Sequence, residues 1–260
     1  MSAPSSPARI TIGHVPIDAL DFQAALRAIL QLVERGEGGT VMTPNVDHVV
    51  LAEDDLRLRA AYADASVSLV DGKVLFEAAR LLGHRLPEKV SGSDLFEPLV
   101  GYAAAFDKRV FLLGGAPGIA ARTAARLVQE FPPLVVAGID APALDLDRDP
   151  ETHDAIVAEL RAARPDLVFL AFGCPKQEIL MHRIARAVRP AVLVGVGASF
   201  DFVAGAVQRA PEWVSEHGLE WLYRLMHEPL RLAPRYLVRD PRFAAILLRE
   251  IVARRRPKAA

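Results

Sequence analysis

Six short apolar runs recur along the chain: TVMTP from Thr40, VSLVDG from Val67, RVFLLGG from Arg109, LVVAGID from Leu134, LVFLAFG from Leu167 and AVLVGVG from Ala191. Each is continuous rather than alternating, the pattern of a strand buried on both faces of a parallel sheet. Between them lie segments with helical spacing, such as IAARTAARLVQEF and THDAIVAELRAAR, the second opening on Thr152 as a cap. Strand-helix alternation predicts an α/β fold, a Rossmann-like and mostly parallel sheet with flanking helices. Ligands of such folds bind outside the carboxyl ends of the strands. After GVGASFDFVAGAVQRAPEW the strand pattern stops, and the rest reads as helices broken at Pro229, Pro234 and Pro241. The boundary falls near residue 205, giving an α/β domain that carries the chemistry (1–205) and a basic helical C-terminal appendage (206–260).

At 260 residues, 52% hydrophobic and 24% charged, the chain has the composition of a globular protein with a full core. A single cysteine, Cys174, excludes an intramolecular disulfide framework and a cysteine-rich structural zinc site. The start, MSAPSSPARI, has neither a basic opening nor an apolar stretch of signal-peptide length. No uninterrupted apolar run approaches the ~18 residues of a membrane-spanning helix, so a cytoplasmic protein is expected. The net charge of -1 hides a strong asymmetry. From Leu219 onward there are ten basic and four acidic side chains, on an otherwise acidic body. A basic tail of this kind is drawn to an anionic lipid surface or to nucleic acid. The acidic body and the absence of a nucleic-acid module leave the lipid surface as the expected partner.

Several strand ends carry chemistry. LVFLAFGCPKQE ends a buried strand by presenting Lys176, Gln177 and Glu178 at one place. FLLGGAPGIAARTAARL sets Gly114, Gly115 and Gly118 between strand and helix, where backbone N–H groups hold phosphates. With Asp140 ending the next strand, that turn also fits a nicotinamide-dependent oxidoreductase, although its spacing is not that of a dinucleotide fingerprint. VMTPNVDHVV offers Thr43, Asn45, Asp47 and His48, as sugar or phosphate contacts or as ordinary caps. Asp71 closes an apolar strand before Gly72, either as a general base raised by partial desolvation or as a helix cap. EKVSGSDLFEPL supplies Lys89, Ser93 and Asp94, with Ser93 or Asp94 expected at an N-cap. DLDRD at Asp145 has the look of a cation-binding D-x-D, yet lies between Pro142 and Pro150 in what reads as a solvated loop. Cys174 has no base placed beside it by sequence and is expected to be a packed thiol.

Taken in order, TPNVDH, LVDG, SGSDL, FLLGGAPG, FGCPKQE, GVGASFDFVAG, RAPEW and GLEWLYRLMHEP resemble the motifs of the WecB/TagA/CpsF glycosyltransferases, family 26 of the bacterial glycosyltransferases. The resemblance implies inverting transfer of a sugar of N-acetylmannosamine, mannosaminuronic acid or glucose type. The donor would be a UDP-sugar and the acceptor a polyprenyl-diphosphate-linked sugar, at the inner face of the membrane, with no cofactor and no essential metal. It assigns Asp71 as general base, Thr43 and Asn45 to the sugar pocket and Gln177 to substrate contact. Ser93, Asp94 and Lys176 fall in its substrate-binding motifs. The charge of the leaving UDP would fall to the Gly114–Gly115 turn, to Lys89 where the family usually has arginine, and to Arg224, Arg231 and Arg235 of the appendage.

The last segment, FAAILLREIVARRR, places Phe243, Ile246, Leu247 and Ile251 near one helical face, with Arg249 and Arg254 to Arg256 adding positive charge. That is the pattern of an interfacial membrane helix, or of a face packed on the body or on a second copy of the chain in a homo-oligomer.

Overall fold

The structure is a computed structural model and describes residues 8–147, 149–211, 214 and 218–255. It opens with a hairpin that the apolar pattern did not announce, β1 (Arg9–Ile12) against β2 (Val15–Asp18), paired antiparallel. The six apolar runs become β3 (Gly39–Met42), β4 (Val67–Ser68), β5 (Arg109–Gly114), β6 (Val135–Asp140), β7 (Leu167–Ala171) and β8 (Val192–Gly195). They form one parallel sheet in the order β4-β3-β8-β7-β5-β6.

Burial on both faces explains five of the apolar runs; β6 is the exception, an edge strand with no buried residue whose Val135 and Ile139 are exposed. Along β7, Leu167 and Phe169 enter one core while Val168 and Leu170 enter the other, and β5 divides Val110 and Leu112 from Phe111 and Leu113 in the same way. One core is closed by α1 (Phe22–Arg35), α5 (Gly92–Ala105), α6 (Ile119–Glu130) and α9 (Ser199–Val203). The other is closed by the hairpin with α2 (Val46–Ala52), α3 (Leu56–Ala63), α4 (Lys73–Leu81), α7 (Pro150–Ala163) and α8 (Lys176–Ile184).

Local capping sets several helix starts, two of them one turn earlier than expected. The cap of α7 is Asp149, which accepts the Thr152 N–H at 2.9 Å, so Thr152 lies inside the first turn behind Pro150. The cap of α5 is Ser91 in a reciprocal box: its hydroxyl accepts the Asp94 N–H at 3.1 Å, and Asp94 accepts the Ser91 N–H at 3.2 Å. Ser93 and Asp94 therefore sit in the first turn rather than at the cap.

Among the described residues the appendage comprises helices Glu220–His227 and Pro229–Ala233, a π turn Pro234–Arg239, a 3₁₀ turn Asp240–Arg242 and a last helix Phe243–Arg255. The prolines change the helical pitch here without breaking the path, because each lies at the first or second position of its segment, where its missing N–H costs little. The last helix lays its apolar face on the body. Phe243 and Ile246 are buried in the same core as Ile12, Val15 and Val49, with Leu247 and Ile251 packed against it. Arg249 clamps Glu53 through two 2.8 Å contacts. The face expected to meet a membrane is thus occupied by the protein itself. Of the basic run, Arg256 lies outside the described residues.

Candidate active site

The strand order brings together groups that are far apart in sequence. The loops after β4, β3, β8 and β7 carry Asp71, then Thr43 and Asn45, then the Gly195 end, then Gln177, side by side along one sheet edge. Past the short β4 the pairing continues, because the Leu69 N–H donates to Met42 O at 2.9 Å and the Asp71 N–H to Pro44 O at 2.8 Å. Two glycines allow close approach. A Cβ on Gly92 would lie 2.7 Å from Gly195 O and 3.2 Å from Thr43 Oγ1, so only glycine lets α5 begin against this edge. A Cβ on Gly195 would lie 2.4 Å from Gln177 Nε2. Thr43, Gln177 and the first turn of α5 consequently surround one point.

Asp71 does not cap a helix, since the cap of α4 is Gly72. Its carboxyl is pushed up to about 6, chiefly by removal from water; Lys89 and Arg224 pull it down, while Glu220 and Asp94 push it up. A carboxylate poised there is still ionised at pH 7 and more basic than a solvated aspartate, the property a general base needs.

Lys89 approaches Asp94 at 3.7 Å, and Arg209 pairs with the other oxygen of the same carboxylate. Burial alone would raise the Asp94 carboxyl, but its Ser91 hydrogen bond and these two cations outweigh that and hold it below the usual range. Arg209, from the RAPEW motif, was not singled out in the sequence, where nothing links it to residues 89–94. Glu212 and Trp213 of that motif lie outside the described residues.

On the β7 side Gln177 and Glu178 are buried, and Gln177 Nε2 donates to Glu178 Oε1 at 3.0 Å. Gln177 Oε1 is buried with no protein partner. Lys176 turns away from them: its ammonium donates to Leu144 O at 2.7 Å and holds the loop before α7. Burial pushes the Cys174 thiol well above its usual range, so it stays a thiol beside Glu178, as expected of a packed cysteine.

The appendage closes the other side. Arg235 Nη2 donates to Asn45 Oδ1 at 3.0 Å, and Arg235 and Arg239 both pair with the buried Asp47, at 3.3 Å and 2.5 Å. Arg224 acts on both Asp71 and Asp201. Arg231 pairs with Glu228 at 2.6 Å, and its charge acts on Asp201. Of the three appendage arginines expected here, Arg235 contacts Asn45 directly, and the charge of Arg224 acts on Asp71.

Gly114 ends β5 with φ 103°, and a Cβ there would lie 3.0 Å from the Ala171 backbone. The Gly115 N–H is spent on Ala171 O at 2.8 Å, so this turn is tied to β7. Asp140 ends the outermost strand and accepts its own neighbour's N–H, from Ala141. In DLDRD, Asp147 pairs with Arg57.

Among the described residues, His48, Cys174 and Glu178 bring one potential metal ligand each within 4.8 Å of one another. Hydrogen bonding argues against an ion there. His48 Nδ1 accepts the Asn45 N–H at 3.1 Å in the α2 capping box, which leaves the proton on Nε2. Burial, with Arg235 and Arg239 nearby, lowers the imidazole to about 3, so His48 enters the cluster as a neutral donor.

Comparison with known proteins shows the family. Residues 10–257 match the model of the glycosyl transferase WecG/TagA/CpsF family. An N-acetylglucosaminyldiphosphoundecaprenol N-acetyl-beta-D-mannosaminyltransferase of Bacillus spizizenii is 31% identical over 248 residues, 93% of either chain. A protein of the same name from Bacillus subtilis is 29% identical over 218 residues, 84% of this chain and 82% of its own. The match spans both the sheet edge that carries Asp71 and the arginines that close over it, and the chain belongs to the WecG/TagA/CpsF family of glycosyl transferases.

Proposed function

We propose that this glycosyltransferase moves an N-acetylmannosamine-type sugar from a UDP-sugar to a polyprenyl-diphosphate-linked amino sugar, with inversion. The observation that carries the reading is Asp71, raised to about 6 at the shared end of β4 and β3 with Lys89 and Arg224 in its field. The relatives' names supply the sugar and the acceptor. An acceptor hydroxyl becomes a competent nucleophile as its proton passes to Asp71 while the bond to the sugar forms. Thr43, Asn45 and Gln177 line the sugar pocket. Lys89, Arg224 and Arg235, with the first turn of α5, meet the charge that develops on the departing UDP, and fixed donors there need no reorganisation. Binding donor and acceptor in one orientation supplies much of the remaining acceleration. The nicotinamide alternative is disfavoured because the Gly115 N–H is already used by Ala171 O, although Asp140 does end the strand beside the glycine turn.

The division at residue 205 is a division of labour in this proposal: the body holds the base and the sugar pocket, and the appendage brings cations and the membrane. No helix among the described residues is long and apolar enough to cross a bilayer. The surface offered to an anionic leaflet is the outer side of the appendage before the last helix, where Met226, Leu230, Leu237 and Val238 are exposed amid the basic residues.

Mass spectrometry of the products formed from a panel of UDP-sugars and a short-chain polyprenyl-diphosphate N-acetylglucosamine tests the reading. One added N-acetylhexosamine from UDP-N-acetylmannosamine supports it. Transfer of a different sugar corrects the donor, and no transfer from any donor refutes the proposal.

A further inference from the structure

We infer that Arg209 is a diphosphate-binding residue of this site, supplying from the appendage side the guanidinium fork that Lys89 cannot. Arg209 and Lys89 each take one oxygen of the same carboxylate, Asp94 Oδ1 and Oδ2 respectively. That carboxylate is anchored in its turn, accepting the Ser91 N–H at 3.2 Å in the capping box. Asp94 thus gathers two cations at the N-terminal turn of α5, a fourteen-residue helix whose positive dipole end adds to their charge.

All three side chains keep contact with solvent: Arg209 is half exposed, and Lys89 and Asp94 are each close to 30% exposed. An incoming anion can therefore reach them. A single carboxylate is the weaker ligand for this pair, because a diphosphate brings at least two charges and several acceptor oxygens to the same donors. Lysine offers a point charge, whereas the planar arginine fork fits two phosphate oxygens at once, so Arg209 contributes the directional part of the grip. The charges of Asp71 and Glu220 also act on Arg209 and, with Asp94, help keep its guanidinium charged. The inference rests on the proposed use of a nucleoside diphosphate sugar. Both substrates of that reaction carry a diphosphate, and the shared chemistry is what Arg209 recognises.

Isothermal titration of the full chain with inorganic pyrophosphate, UDP and a short-chain prenyl diphosphate tests this without requiring turnover. Arg209→Ala should weaken pyrophosphate binding about ten- to hundredfold. Arg209→Lys, which keeps the charge and loses the fork, should recover only part of that loss. Lys89→Arg in the Arg209→Ala background should restore binding, an outcome that loss of a merely structural ion pair does not produce. Weakened UDP with unchanged prenyl diphosphate assigns Arg209 to the donor; the reverse assigns it to the acceptor. Unchanged affinity for all three ligands in folded Arg209→Ala, or a parent chain that binds no pyrophosphate, overturns the inference. A parent chain that binds pyrophosphate yet transfers no sugar overturns the proposed function and leaves Arg209 in place.

Discussion

Arg235 Nη2 donates to Asn45 Oδ1 at 3.0 Å, joining side chains 190 positions apart. The same oxygen accepts the Asp47 N–H at 3.1 Å, so the appendage grips the cap of α2 itself. Arg235→Ala should lower kcat/KM by about tenfold or more through loss of a charged hydrogen bond at Asn45. Steady-state kinetics checks this, and an unchanged kcat/KM would remove Arg235 from the site.

Asp47 is buried beneath Arg235 and Arg239. Asp47→Ala leaves both guanidinium groups without their shared partner, and removing one side of a buried pair costs about 3–5 kcal/mol. Urea denaturation should place the loss near the lower end, since Arg239 remains partly solvated.

Asp71→Asn should keep the fold and UDP binding and lose turnover by about 10²- to 10⁴-fold, because the amide accepts no proton. In the parent enzyme kcat/KM should rise with pH through about 6 and then level, as the carboxylate forms. Stability should move the other way. A carboxyl whose folded value lies above its unfolded one binds more protons when folded, so its contribution falls as pH rises from the ordinary aspartate range through about 6. Asp71→Asn should accordingly raise the melting temperature at pH 7, and a lower one would contradict the desolvation account.

Gly195→Ala sets a Cβ 2.4 Å from Gln177 Nε2 without altering any polar group. The displaced amide should reduce kcat/KM by up to about 10²-fold. Retained activity would show that Gln177 has no positional role.

Removing residues 206–260 should abolish binding to anionic liposomes, and salt should weaken that binding in the intact chain. The truncated body should also be less stable, because it loses Phe243 and Ile246 from its core. Sedimentation with liposomes and thermal melting separate the two effects. Undiminished liposome binding by the truncated chain would sink the membrane proposal.

Transfer should survive EDTA, since Asp147, shared by the two overlapping D-x-D triplets of DLDRD, pairs with Arg57 at the surface. Loss of activity that magnesium or manganese restores would contradict this.

Five strands and the edge they present were legible in the sequence because burial on both faces imposes a local signature, an apolar run closed by glycine or a polar residue; the edge strand β6 carries an apolar run although Val135 and Ile139 are exposed. The strand ends at Asp71, Thr43 and Asn45 were legible for the same reason, but their roles, and that of Gln177 in the helix after β7, came from the family resemblance rather than from the pattern. The hairpin Arg9–Asp18 was not, because four-residue strands with mixed burial leave no periodic trace. The caps of α5 and α7 were misplaced because Ser, Asp and Thr all serve as caps, and only backbone geometry chooses among neighbours.

What the sequence by itself determined, then, is which residues stand at strand ends, since a period of burial is a property of neighbours in the chain. Which of those ends meet is set by the order β4-β3-β8-β7, a matter of long-range pairing that no local pattern encodes. The same holds for charge. Composition showed a basic appendage, but only the fold pairs Arg235 with Asn45 and Asp47, Arg209 with Asp94, and Lys176 with Leu144 O outside the site. It also turns the apolar face of the last helix inward, because the body's core offers Phe243 and Ile246 close-packed partners there.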